Sequence, residues 1–240
     1  YIAVRNLGAI LPLSAHLKSA PAASFEGVPV VYAESHADPE QLALYSYAEL
    51  NQATAAASYP ERDAQGQLAC GVQIQNYDDD IRSGVVANGY ITIGTLGCFG
   101  RLPNGDVAIL TNNHVAAGQN RGDRGHDRIC QPGTIGPGNI SSIATLSDFV
   151  ALKESPANAN LKQGTAVLNV LDAALATLNA GVAHTQAYLA GRTAPAPGGV
   201  AEAAEGDKVY KIGRTTGLTT GTVTSVGAVM GPVPYDVGPC

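Results

Sequence analysis

Apolar and polar positions alternate most clearly between residues 90 and 115. Ile91, Ile93, Leu96 and Cys98 mark out a strand. Leu102-Pro103-Asn104-Gly105 then interrupts the pattern, and Val107-Ala108-Ile109-Leu110 resumes it. Asn-Gly between two apolar runs is a strong hairpin signal, because both residues tolerate positive φ. The second strand runs straight into Thr111-Asn112-Asn113-His114-Val115. One histidine is therefore delivered where a core strand stops, held by a rigid element and free to face a cleft.

Other stretches follow the same two-residue period. Cys70 to Gln75 alternates apolar and polar as one strand, and Ile143 to Val150 forms another. Gly206 to Val226 predicts a strand through Val209 and Ile212, a glycine-rich turn, and a strand through Val223 and Val226. Tyr77-Asp78-Asp79-Asp80 interrupts the pattern as a solvated acidic loop, since the Asp-x-Asp-x-Asp-Gly spacing of a calcium loop is missing.

The first third of the chain has a different character. Asn6 to Pro12 suggests a short apolar element ended by proline, and Phe25 to Tyr32 a turn leading into a β-branched strand. Asp38-Pro39-Glu40-Gln41 has the form of a helix start, with Asp38 as N-cap and Pro39 at the first helical position. Leu44, Tyr47, Ala48 and Leu50 would continue that helix, and Ala53 to Ala57 would be its frayed end or a linker. Residues 1–68 are thus expected to be a small α+β segment with a structural role. Ala194 to Gly199 is a linker by composition.

Composition narrows the classes. Apolar residues make up 45% and charged residues 14% of 240, which fills a sizeable core and excludes a disordered chain. With 28 glycines and 14 prolines the chain is rich in turns, as a β fold requires. A net charge of -6 without a basic block excludes nucleic acid as a partner. No apolar run reaches the roughly 18 to 20 residues of a membrane span. Beginning at Tyr1, the chain reads as processed or excerpted, so the missing leader leaves its compartment open. Cys70, Cys98, Cys130 and Cys240 are too sparse for a disulfide scaffold and too widely spaced for a zinc site; Cys98 is expected to be a small buried residue. No cofactor or metal is expected.

Some motifs carry little. His16 and His36 have no partner pattern, and His126 falls in a loop. Arg121-Gly122-Asp123 recurs by chance, and Asn139-Ile140-Ser141 is a lone glycosylation sequon. The glycine-rich run at 213–221 fails as a phosphate loop, because it lacks Gly-Lys-Ser/Thr and leads into a strand. Asp172 stands out. It lies in Val167-Leu168-Asn169-Val170-Leu171-Asp172-Ala173-Ala174-Leu175-Ala176, and an unpartnered carboxylate in such company costs several kcal/mol to bury. Either Asp172 caps a helix, in keeping with the helical propensity of 171–190, or it orients His114.

Three segments together resemble the trypsin-like serine proteases of chymotrypsin fold, in the form found in a bacterial group: Gly94-Thr95-Leu96-Gly97-Cys98 with Asn112-Asn113-His114-Val115, Ile129-Cys130-Gln131-Pro132-Gly133, and Gly213-Arg214-Thr215-Thr216-Gly217-Leu218-Thr219-Thr220-Gly221. Asp172-Ala173-Ala174-Leu175 is similar to the family's catalytic-aspartate stretch, and the order His before Asp also fits. The resemblance covers roughly residues 68 to 240. It implies a mainly β, chymotrypsin-like double barrel, with residues 69–193 as the first barrel carrying His114 and Asp172, and 194–240 as the start of an incomplete second barrel. It also implies a serine endopeptidase acting on a protein or peptide substrate. The Gly-Asp-Ser-Gly context of the nucleophile is not found in the 240 residues. The resemblance puts the serine a few tens of residues beyond Gly221, on a missing C-terminal segment that would be the chain's partner, so the chain alone is expected to be inactive. Cys240 in Gly238-Pro239-Cys240 comes too early to replace it. The alternative is a non-catalytic protease-fold module for binding or assembly.

Overall fold

The computed structural model describes residues 60–133, 141–156, 165, 167–189, 192, 196 and 198–226, together with the backbone of three short strands before them. These three are β1 (Ala23–Phe25), β2 (Val28–Val30) and β3 (Leu44–Ser46). Then follow β4 (Leu68–Cys70), β5 (Gln73–Asn76), helix α1 (Tyr77–Arg82), β6 (Tyr90–Thr95), β7 (Cys98–Arg101), β8 (Val107–Thr111), helix α2 (Asn113–Ala116), β9 (Arg128–Cys130), β10 (Ser142–Phe149), β11 (Ala174–Leu178), β12 (His184–Tyr188), β13 (Lys208–Gly213) and β14 (Gly217–Thr222). The protein is mainly β.

The main sheet is antiparallel, in the order β6-β5-β9-β10-β11-β8-β7, with β3 added outside β6. Its two terminal strands, β6 and β7, are consecutive pieces of one segment, separated only by Leu96-Gly97. The sheet therefore curls so that one bent strand supplies both of its ends. Glycine is needed at the corner: Gly97 N–H donates to Leu110 O at 2.9 Å, and a Cβ at Gly97 would sit 2.8 Å from that oxygen. Ile74, Ile109, Ile129 and Leu146 fill the concave side and are fully buried. From β11 the core takes alanines, Ala174 and Ala176, while Leu175 and Leu178 stay half-exposed.

Outside the curl, β12 pairs parallel to β4, and β13 pairs with β14 as a separate hairpin. That hairpin rests on the sheet through Ile212, which touches Gly71, and through Arg214 N–H, which donates to Thr95 Oγ1 at 3.1 Å. A buried ion pair braces the same side. Arg192 Nε and Nη2 donate to Glu61 Oε1 and Oε2 at 2.6 and 2.7 Å, and Glu61 is fully buried. Arg62 Nε donates to Arg214 O at 3.0 Å.

Several sequence expectations are corrected. Leu44, expected in a helix, lies on β3, paired with β6; the rest of that helix, Asn6–Pro12, Ala53–Ala57, His16, His36, Asn139 and Cys240 lie outside the described residues. The Cys70–Gln75 strand breaks at Gly71, whose φ of +93° separates β4 from β5. In the 101–107 turn Gly105 has positive φ and Asn104 does not. Cys98 is half-exposed rather than buried. β14 ends at Thr222, so its strand lies earlier than Val223–Val226. The helical propensity of 171–190 loses to pairing: β11 is bonded to β10 on one side and β8 on the other, which a helix could not satisfy.

The largest correction concerns Tyr77–Asp80. It is not a solvated loop but the start of α1, with Asp79 and Asp80 each 1% exposed. Asn76 caps this helix by accepting from Asp79 N–H at 2.9 Å. Arg121 and Arg82 bond Asp79 at 3.0 and 3.4 Å, and Asp80 Oδ2 accepts from Gln75 Nε2 and Thr92 N–H at 2.7 and 2.9 Å. The acids are buried because each has a donor. Among the described residues no group of three or more His, Cys, Asp or Glu is placed to hold a metal ion, and no helix is long and apolar enough to cross a membrane.

Candidate functional site

β8 and β11 run antiparallel with Thr111 opposite Ala174. The chain leaves β8 at Thr111 and enters β11 at Ala174, at the same end of the sheet. His114 is three residues beyond the first and Asp172 two before the second, so pairing two core strands brings residues 58 apart in sequence together. His114 Nδ1–H donates to Asp172 Oδ2, and His114 N–H donates to Asp172 Oδ1 at 3.2 Å. Ring and main chain of one residue thus fix both oxygens of the carboxylate. Asp172 precedes a strand and caps no helix.

His114 sits in the single turn of α2. Val115, its neighbour, packs over Gly94 of β6 so closely that a Cβ there would be 2.3 Å from Val115 Cγ2. Thr111 Oγ1 donates to Thr95 O at 2.9 Å and ties the ends of β8 and β6 together. From below, Asn76 Nδ2 donates to Ala116 O at 2.7 Å, the last residue of α2, and to Asp127 Oδ2 at 2.9 Å. Asp127 also takes both terminal nitrogens of Arg82, at 2.8 and 2.9 Å. The helical turn that carries His114 therefore rests on Asn76 and Asp127, both buried and both hydrogen-bonded.

The electrostatics favour an ionised carboxylate. Burial raises the pKa of Asp172, but the hydrogen bond and charge of His114, with the main-chain N–H groups of His114 and Asn113, outweigh it and hold the acid below its ordinary value. The same balance holds at Asp127: burial raises it, and Arg82 and Asn76 bring it down. The pair is not sealed. The side chains of His114 and Asp172 are 19% and 20% exposed, enough for a reacting group to reach the imidazole.

Both residues singled out in the sequence thus meet. His126 is exposed and lies 3.3 Å from Asp123, well apart from them in role. Sequence reasoning passed over the asparagines. Asn112 Nδ2 donates to Asp172 O at 2.9 Å, and Asn113, fully buried, bonds Val150 O at 2.7 Å and Asn120. The signal was present: two adjacent amides at a strand end ask for buried partners. No protein-family model matches the chain, and no curated protein aligns with it.

Proposed function

We propose that this chain carries the histidine and aspartate of a trypsin-like serine endopeptidase, with the β13–β14 hairpin opening the second barrel of a chymotrypsin-like double-barrel fold. The observation that carries the reading is the hydrogen bond from His114 Nδ1 to Asp172 Oδ2, made between neighbouring core strands and reached by solvent. An ionised Asp172 holds the proton on Nδ1 and leaves Nε2 as the base. In the proposed reaction Nε2 takes the serine proton as Oγ attacks the scissile carbonyl, then passes it to the leaving amine; water repeats the cycle and releases the acid. Asp172 stabilises the imidazolium and stays ionised throughout.

The reading requires a serine in a Gly-Asp-Ser-Gly setting, which the 240 residues do not contain. The second reading is a protease-fold module that binds or assembles without catalysis. The coding sequence after the Cys240 codon discriminates between them: Gly-Asp-Ser-Gly there supports the enzyme, and a stop codon refutes it. With the full gene expressed, His114→Ala is expected to abolish both peptide hydrolysis and labelling by a fluorophosphonate. Labelling that survives His114→Ala refutes the catalytic role.

A further inference from the structure

The contacts around His114 and Asp172 close into a ring. Asn113, 0% exposed, donates from Nδ2 to Val150 O at 2.7 Å. Val150 N–H donates to Ala173 O at 2.9 Å. Ala173 is bonded covalently to Asp172, whose carboxylate accepts from His114, and His114 follows Asn113 in the chain. Asn112 crosses this ring, its Nδ2 donating to Asp172 O at 2.9 Å. The carboxylate of Asp172 is therefore held by His114 while its own carbonyl is held by Asn112.

The rest of the amide of Asn113 is also used. Its Nδ2 donates to Asn120 Oδ1 at 2.8 Å, and its Oδ1 accepts from Asn120 N–H at 3.0 Å. Asn120 has a φ of +77°, a left-handed conformation that asparagine tolerates better than most residues. Asn120 in turn brackets Leu152, donating from Nδ2 to Leu152 O at 2.7 Å and accepting from Leu152 N–H at 2.8 Å. The turn after α2 is thus stitched to the segment that leaves β10. These links bind main chain, so they fix where the chain runs and not merely how a side chain is oriented.

We propose that Asn112 and Asn113 are positioning residues, which set the path of the chain at Asp172 so that one carboxylate meets both the ring and the main-chain N–H of His114. What the pair is for rests on the protease reading; that these amides hold it does not. A cavity argument would predict only a loss of stability on removing them. A positioning role predicts a change in the pair itself.

The test uses the 240-residue chain labelled with ¹³C and ¹⁵N. The wild-type His114 Nδ1 proton is expected as a far-downfield resonance, and the carboxyl carbon of Asp172 should titrate below an ordinary aspartate. Asn112 is half-buried, so Asn112→Ala should fold, with its dispersed spectrum as the check. In that variant the downfield line should move upfield or broaden away, and the Asp172 midpoint should rise. Asn112→Leu, which keeps the size and adds no charge but cannot donate, should do the same, and decides the matter if the alanine variant fails to fold. A folded variant with both signals unmoved overturns the proposal. These readouts need no catalysis: if fluorophosphonate labelling survives His114→Ala while the Asn112 variants shift both signals, the protease reading falls and the positioning role stands.

Discussion

Asp80 is a carboxyl that the fold tolerates at a cost. It is 1% exposed; one oxygen accepts from Gln75 and Thr92, and the other, Oδ1, has no hydrogen-bond partner. Burial raises its pKa from 3.8 to about 6, against the hydrogen bonds that lower it. The unfolded chain releases this proton near pH 4 and the folded chain near pH 6, so between those values the folded state holds more protons. Its contribution to stability is complete below about pH 4 and is lost as pH rises through about 6. At about 1.4 kcal/mol per unit, the ionised side chain costs the folded state about 3 kcal/mol at pH 7.5. Asp80→Asn keeps one oxygen for Gln75 and Thr92 and replaces the charge by an amide. Urea unfolding at pH 7.5 should show the variant more stable by about 2 to 3 kcal/mol, the lower figure allowing for an amide nitrogen in the place of Oδ1. At pH 4 the two proteins should converge. Aspartates held below their ordinary values, such as Asp127 and Asp172, lose stability as pH falls. The difference between variant and wild type removes that shared background. A variant equal to or weaker than wild type at pH 7.5 would refute the reasoning.

Two further substitutions test the frame around the site. Glu61→Ala removes both charge-assisted bonds to Arg192 and leaves a guanidinium without its carboxylate, a loss of about 3 kcal/mol read by the urea midpoint, discounted from the full value of a sealed pair because Arg192 is 25% exposed. A variant within 0.5 kcal/mol of wild type, about the scatter of ordinary surface changes, would remove that brace from the account. Gly94→Ala puts a methyl group 2.3 Å from Val115 Cγ2, so β6 or α2 must move. Overpacking of this kind costs about 1 to 3 kcal/mol, and here it should also broaden the downfield His114 proton. A well-folded Gly94→Ala with an unchanged His114 signal would mean that the close packing does not set the position of α2.

What could be foreseen depended on whether pairing or local pattern decides the structure. The hairpin of β7 and β8 was legible because its alternation and its Asn-Gly turn are local signals. His114 was legible for the same reason, as the residue where that strand ends. Asp172 could be named but not settled, since Asp before Ala-Ala-Leu-Ala caps a helix as readily as it precedes a strand. Only the long-range bonds of β11 to both β8 and β10 decide between them. Tyr77–Asp80 failed for a related reason. A run of three aspartates looks solvated until the donors are known, and these come from Arg82 within the helix and from Gln75, Thr92, Arg121 and Arg128 outside it. Charge patterns in a sequence record the acids of a network and not which base will reach them.

The meeting of His114 and Asp172 is a matter of register. Thr111 opposite Ala174 makes each residue the continuation of a strand end, and the two continuations leave on the same side. A slip of one residue would turn every side chain of β11 to the opposite face, exposing Ala174 and Ala176 and burying Leu175 in a space sized for alanine. A slip of two would restore the faces but carry Asp172 about 7 Å along the sheet, beyond any hydrogen bond to the imidazole. The small core residues of β11 therefore guard the site from a distance. They admit one register, and that register gives an aspartate and a histidine, far apart in the chain, a common address. The asparagines then act over the last few ångströms, where strand pairing is no longer available and side-chain amides must hold the main chain instead.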